Sequence, residues 1–140
     1  MEGDTEKDAR RLSDEAFKRG RIYGDNKEYE NAIKCYSEAL EIYPDNYEAR
    51  IYRGVDYYKI REYDKAIEDF DTILRNENIS HDEKADEYIS RAFKNKGNVY
   101  FLKEEYTEAI KLYDEALKYK RNEKALNNKG TVLYIYFRMV

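Results

Sequence analysis

One amphipathic segment occurs three times in this chain. It reads KEYENAIKCYSEALEIYP at 27–44, REYDKAIEDFDTILRNEN at 61–78 and EEYTEAIKLYDEALKYKR at 104–121. Alignment places Tyr29, Tyr63 and Tyr106 in one column, Ala32, Ala66 and Ala109 in a second, and Ile33, Ile67 and Ile110 in a third. An aromatic follows four residues after each Ala: Tyr36, Phe70 and Tyr113. The copies are offset by 34 and 43 residues, a period that signals stacked repeats. Apolar residues at i, i+3, i+4 and i+7 give each copy the stripe of an amphipathic helix. A single helix cannot bury that stripe, so the copies must pack on partners.

The partner lies upstream of each copy. Gly20, Gly54 and Gly97 each stand three residues before a Tyr (Tyr23, Tyr57, Tyr100) and twelve before the repeat Ala. A mid-helix Gly costs about 1 kcal/mol against Ala, and its physical use is close approach of two helix backbones. Each unit therefore reads as helix, short turn, helix, with Gly and Ala expected at the tight contact. The frame Gly-x-x-Tyr, Tyr-x-x-Ala, aromatic, Ala39 and Pro44 resembles the tetratricopeptide repeat family. The first and third units fit well, whereas the second has Ile73 in the small-residue place and lacks the Pro. The resemblance implies an all-α, right-handed superhelical stack of antiparallel helix pairs. It divides one domain, 1–140, into units at about 13–46, 47–80 and 81–122, with a half unit at 123–140.

Length and charge agree with this expectation. A chain of 140 residues suits one domain. The 40% charged residues fall mostly between the apolar columns. A net charge of −4 argues against general nucleic-acid binding, which needs a basic face to displace counterions. The N-terminus has no basic-then-apolar signal, and no run is long and apolar enough to span a membrane. One Cys excludes an intrachain disulfide. The expected setting is cytoplasmic.

Local signals place the helix ends. Thr5 and Asp8 suggest a cap for a first helix running to about Gly24, and the second is expected from Tyr29 to Ile42. Asp45 and Glu48 resemble a capping pair for a third, which ends near Ile60 before a partner from Tyr63 to about Arg75. Ser80 and Glu83 form an S-x-x-E box. They predict a helix of about 22 residues ending at Leu102, with the nine residues of extra spacing added to its N-terminus rather than to a loop. Asn122 is placed to cap a last helix reaching about Arg138. There 127–132 (NNKGTV) repeats the pattern of 94–99 (NKGNV after Lys94), the start of a fourth unit.

The inventory for catalysis is poor. His81, the one His, lacks partners for metal or acid–base use, and Cys35 sits within a repeat helix without a base. No Gly-rich phosphate loop occurs. The chain is expected to have no enzymatic activity, no cofactor and no metal.

Binding remains, and the resemblance implies where. In this family the first helix of each unit lines a concave groove that holds a peptide. The implied lining is Asp14, Phe17, Arg21, Gly24 and Asp25 in the first unit, then Glu48, Ile51, Val55, Tyr58 and Lys59 in the second. The third contributes Arg91, Lys94, Asn98, Phe101 and Leu102, and the fourth Lys124, Asn127, Thr131, Tyr134 and Ile135. This lining suits a protein or peptide partner with apolar anchors and an acidic or carboxylate end toward the third and fourth units. A sharper implication comes from Lys94-x-x-Gly97-Asn98 with Asn128, which resembles the first part of the carboxylate clamp of co-chaperone domains. The Lys and Arg that would complete it belong to a unit beyond Val140. A third reading is a structural self-assembly piece. The closing helix carries Val132, Leu133, Tyr134, Ile135, Tyr136, Phe137 and Met139, too apolar for a free end. It is expected to be covered by a second copy in a homodimer or by sequence of a longer parent.

Overall fold

In the computed structural model, which describes residues 2–139, the described chain is helical throughout and has no strand. Seven α-helices follow one another: α1 (Glu2–Asp25), α2 (Tyr29–Ile42), α3 (Tyr47–Lys59), α4 (Tyr63–Leu74), α5 (Ala85–Leu102), α6 (Tyr106–Tyr119) and α7 (Glu123–Met139). A 3-10 turn, Glu77–His81, precedes α5. The chain divides into two compact units, 1–69 and 70–140, with the division inside α4.

In the first unit α1 packs on α2, and α2 on α3. The core joins Ala16, Ala32, Tyr36, Ala39, Leu40 and Ala49, with Phe17 and Tyr52 against it. Ser13 on α1 donates its hydroxyl to the Ala39 carbonyl at 2.7 Å and accepts from Asn46 Nδ2 at 2.8 Å. Arg53 on α3 clasps Asp69 through Nε at 2.9 Å and Nη2 at 2.6 Å, while its Nη1 donates to Ser37 on α2. Both carboxylate oxygens of the nearly buried Asp69 thus meet one planar donor fork.

The second unit repeats the plan with α5 on α6 and α6 on α7. Ala109, Tyr113 and Val132 form its core, backed by Tyr100, Phe101, Tyr106 and Ile110. Ser90 donates to the Ala116 carbonyl at 2.8 Å, in the register of Ser13 and Ala39. Both serines stand seven residues before a repeat Gly, a column that the repeat alignment alone did not single out.

The repeat columns pack as helix-crossing positions, with one correction. Ala32, Ala66 and Ala109 are fully buried, yet the Gly does not press on the Ala. It lies under the aromatic four residues later. A Cβ on Gly20 would come within 2.5 Å of the Tyr36 ring, and one on Gly97 within 2.7 Å of the Tyr113 ring. The rings extend farther than an Ala methyl, so they are what reaches the facing backbone.

Each short turn is built alike. Lys27, Arg61 and Glu104 have φ of 62°, 66° and 62°. The next residue's N–H returns to the carbonyl five back, Glu28 to Tyr23, Glu62 to Tyr57 and Glu105 to Tyr100, each at 2.9 Å. This is the left-handed C-terminal closure usually served by Gly, here carried three times by long side chains.

Several helix starts differ from the sequence expectation. Asn46, not Asp45, caps α3, its side chain accepting from Ala49 N at 3.0 Å. Thr5 lies inside α1, which begins at Glu2. Ser80 does not cap a 22-residue helix. Its hydroxyl donates to the Glu77 carbonyl at 3.2 Å within the 3-10 turn, and the buried Ile79 pins that turn. Asp82 then accepts from Lys84 N at 2.8 Å, and α5 starts at Ala85 with 18 residues. Asn122 caps α7 as expected, accepting from Ala125 N at 3.2 Å.

Candidate functional site: a basic and amide-lined face of the second unit

The residues singled out on the first unit form an aromatic surface. Phe17 on α1 meets Tyr36 at 5.8 Å and Tyr52 at 5.4 Å between ring centres. The Arg21 guanidinium lies 4.4 Å over the Tyr52 ring, a cation–π arrangement that holds both side chains. Val55 and Tyr58 on α3 are half-buried. Ile51 is only 2% exposed, so it backs this surface and does not line it.

In the second unit the residues converge on α5 and α7. Asn98 Oδ1 accepts from the Tyr113 hydroxyl at 2.6 Å and from Asn128 Nδ2 at 3.0 Å. Both lone pairs of that oxygen are therefore occupied. The Asn98 amide nitrogen donates one long bond, 3.5 Å, to Asn95 Oδ1, which leaves its second N–H without an acceptor among the described residues. Asn95 in turn donates to the Arg91 carbonyl at 3.0 Å. Tyr113 belongs to this network although the motif alone did not point to it. The signal was present in the aromatic column, where Tyr36 and Tyr113 carry a hydroxyl and Phe70 does not.

One turn toward the N-terminus of α5 sits Lys94, half-buried. Burial pulls its ammonium down to about 8, helped by the like charges of Lys124 and Arg91. Among the described residues no carboxylate pairs with Lys94 or Lys124. They line an open hollow of about 350 Å³ with Glu87, Ser90, Arg91 and the 120–123 segment. Two cations there already have partners, Lys120 with Glu87 at 3.8 Å and Arg121 with Glu123 at 3.4 Å. The uncompensated charge is thus at Lys94 and Lys124. Such a face attracts an anion.

The remaining candidates do not join this network. Phe101 packs on Tyr106 at 5.8 Å. Asn127 is exposed, and Tyr134 is 62% exposed with its hydroxyl accepting from Arg138 at 2.8 Å. His81 is exposed in the 3-10 turn. Cys35 is buried, and burial pushes its thiol above the ordinary range, which suppresses the reactive thiolate. Among the described residues no group of three His, Cys, Asp or Glu could hold a metal ion. None of the described helices is long and apolar enough to cross a membrane.

The tetratricopeptide repeat pattern matches residues 15–46 and 90–123, the two units whose sequence fits the frame best. The Hsp70-Hsp90 organizing protein of Triticum aestivum is 28% identical over 118 residues, 83% of this chain but 18% of that protein. A TPR repeat-containing protein of Methanocaldococcus jannaschii is 28% identical over 91 residues, 65% of this chain and 27% of its own length. The chain thus spans about a fifth to a quarter of these relatives. Among solved structures, the first TPR of Spaghetti (RPAP3), bound to the HSP90 peptide SRMEEVD, superposes with a TM-score of 0.75. That match has 19% identity and covers 91% of this chain and 94% of the other. The Sgt2 TPR domain from Aspergillus fumigatus gives 0.74 at 24% identity, covering 91% and 80%. The TPR2AB domain of yeast Sti1 gives 0.82 at 19% identity, covering 91% and 48%. The tetratricopeptide repeat pattern is thus matched in two units, and along nine-tenths of its length the chain has the fold of tetratricopeptide domains.

Proposed function

We propose that the chain is a non-enzymatic protein-interaction scaffold that binds a peptide segment of a partner protein. Its second unit takes the acidic or carboxylate end of that segment. The observation that carries this reading is the bonding of Asn98 to both Asn128 and Tyr113 beside the unpaired Lys94 and Lys124. Fixed amide N–H donors next to uncompensated ammonium groups match a carboxylate's two oxygens and its charge. Arg91, Phe101, Asn127 and Tyr134 complete that face, while Phe17, Arg21, Val55 and Tyr58 of the first unit offer aromatic and apolar contacts.

The similar domains bind peptides of this chemistry. The first TPR of Spaghetti is bound to SRMEEVD, and the second TPR domain of human RPAP3 to the HSP70 peptide SGPTIEEVD. Both peptides end in EEVD. A clamp-type co-chaperone module is the narrower version of the reading, favoured by the 3.0 Å Asn128–Asn98 contact. A cytoplasmic setting agrees with a single cysteine that is free and buried.

The test is a binding titration with an acidic peptide ending in a free carboxylate and with its amidated form. The free acid should bind at least about tenfold more tightly, the order of one charge-assisted contact. Lys94→Glu should abolish the difference while helicity is retained. Equal affinity for acid and amide removes the carboxylate from the mechanism. Undiminished binding by Lys94→Glu removes this face.

A further inference from the structure

We propose that the first unit holds a site for the side-chain ammonium of a lysine in the bound segment, with Asp56 as its floor and Gly24 as its mouth. The inference rests on the peptide reading for its occupant, yet it uses none of the second unit's residues.

Two departures from the repeat columns meet at this point. Four residues after the repeat Gly the later helices carry rings, Tyr58, Phe101 and Tyr134, where α1 has Gly24. Two residues after it the other helices carry Ile22, Val99 and Val132, where α3 has Asp56. Val99 and Val132 are 0% and 1% exposed and Asp56 is 3% exposed, so a carboxylate occupies an interior place that is otherwise apolar. A Cβ on Gly24 would lie 3.4 Å from Asp56 Oδ2 and 3.3 Å from the Tyr36 hydroxyl. The missing ring therefore opens the chain directly in front of the buried acid. The turn after α1 does not call for this glycine. Among the described residues no Gly has a positive φ, and Lys27 takes the left-handed position.

The acid is unsatisfied within the unit. Asp56 Oδ2 has no hydrogen-bond partner, the Tyr36 hydroxyl included. Two cations flank it, and both lie on rings instead. The Arg21 guanidinium is 4.4 Å over Tyr52, and the Lys59 ammonium is 5.2 Å over Tyr29. Asp25, exposed beside Gly24, adds a second negative charge at the rim. Burial raises the Asp56 carboxyl to about 6, which still leaves it mostly ionised at pH 7. A buried carboxylate without a partner destabilises the fold, and a charge-assisted hydrogen bond from an ammonium offsets that cost. A lysine tip suits the site because it is compact and brings three donors on a flexible stem. Asp56 and the Tyr36 hydroxyl give it two acceptors.

Backbone amide NMR of the full chain, titrated with Nα-acetyl-lysine methylamide and with the uncharged Nα-acetyl-norleucine methylamide, tests the site. The lysine probe should shift the signals of Gly24, Tyr36 and Asp56 and bind about tenfold or more tightly than the norleucine probe. The charged and titratable groups facing Asp56 are Arg21 and Asp25 on α1, Tyr36 on α2 and Lys59 on α3. Binding needs the ionised acid, so affinity should fall as pH drops from 7 to 5. Asp56→Asn, which removes the charge, and Gly24→Ala, whose methyl would sit against both oxygens, should each abolish the lysine preference with helicity unchanged by circular dichroism. Equal binding of the two probes overturns the proposal, as does a lysine preference that survives Asp56→Asn. An Asp56 carboxyl that titrates in the ordinary carboxylate range also overturns it, because Arg21 or Lys59 then already pairs with the acid. The probes carry no carboxylate, so this result is read apart from the acid–amide comparison. A lysine preference without an acid preference keeps this site and removes the second unit's face, and the converse removes this site alone.

Discussion

Asp56 is buried on α3, only 3% exposed, and its Oδ2 has no hydrogen-bond partner. Burial raises its carboxyl to about 6, with Asp25 adding to the effect and Lys59 and Arg21 opposing it. Because the folded value lies above the unfolded one, the folded chain binds the extra proton between about pH 4 and 6. Stability associated with Asp56 is then full below about pH 4 and lost as pH rises through 6. Asp56→Asn should accordingly stabilise the protein by about 2 kcal/mol at pH 7, and thermal melts should show the gain fading toward pH 4. A gain that is constant from pH 4 to 8 would falsify the assignment. Lys94 has the opposite displacement, down to about 8. Its charge is lost as pH rises through that value, long before an ordinary lysine. Affinity for an acidic peptide should fall between pH 7 and 9.5 in the wild type, and Lys94→Arg, always cationic, should flatten the profile. An identical pH profile in the two proteins would show that Lys94 does not hold the ligand. The motif singled out Lys94, Asn98 and Asn128 in the sequence, and the structure joins Asn128 to Asn98. Tyr113 and the orphan Asp56 were not legible there, because their roles depend on which helix ends lie against them.

At the scale of helices, one glycine column serves two situations. Gly97 lies under Tyr113 and Gly130 lies under nothing, so the same substitution should have opposite effects. Gly97→Ala forces the Tyr113 ring away from α5, and overpacking of this kind costs 1–3 kcal/mol. It also disturbs the Tyr113–Asn98 bond at 2.6 Å. Gly130→Ala, measured in dilute protein, should gain about 1 kcal/mol from helix propensity alone. Denaturant titrations of the two variants check the pair, and equal signs would mean that the column does not mark helix contacts. Helix ends were less readable than helix interiors. The span Tyr29–Ile42 was legible to the residue, because the apolar period and Pro44 bracket it. The start of α5 was not, since Ser80 had two uses for one hydroxyl. It could cap a helix or close a 3-10 turn on Glu77, and burial of Ile79 decided for the turn.

For the molecule as a whole, recurrence was what the sequence determined. Three copies of Tyr-x-x-Ala followed by an aromatic, each preceded by Gly, specify amphipathic helix pairs with alanines buried at the crossings. That follows from local physics, since helical period, turn residues and small side chains are properties of short segments. The match to solved tetratricopeptide domains over nine-tenths of the chain extends the same logic to the fold. What only the tertiary structure decided depends on distance between segments. It showed that Gly20 and Gly97 face tyrosine rings rather than alanines, and that Asn98 is oriented by a hydroxyl fifteen residues away. It showed Ile51 inside the fold, Lys94 without a counter-charge, and Gly130 facing open space where Gly20 and Gly97 face rings. A residue's column predicts which face of its helix it occupies. Whether that face meets a ring, an opposite charge or open space is fixed only when the helices pack.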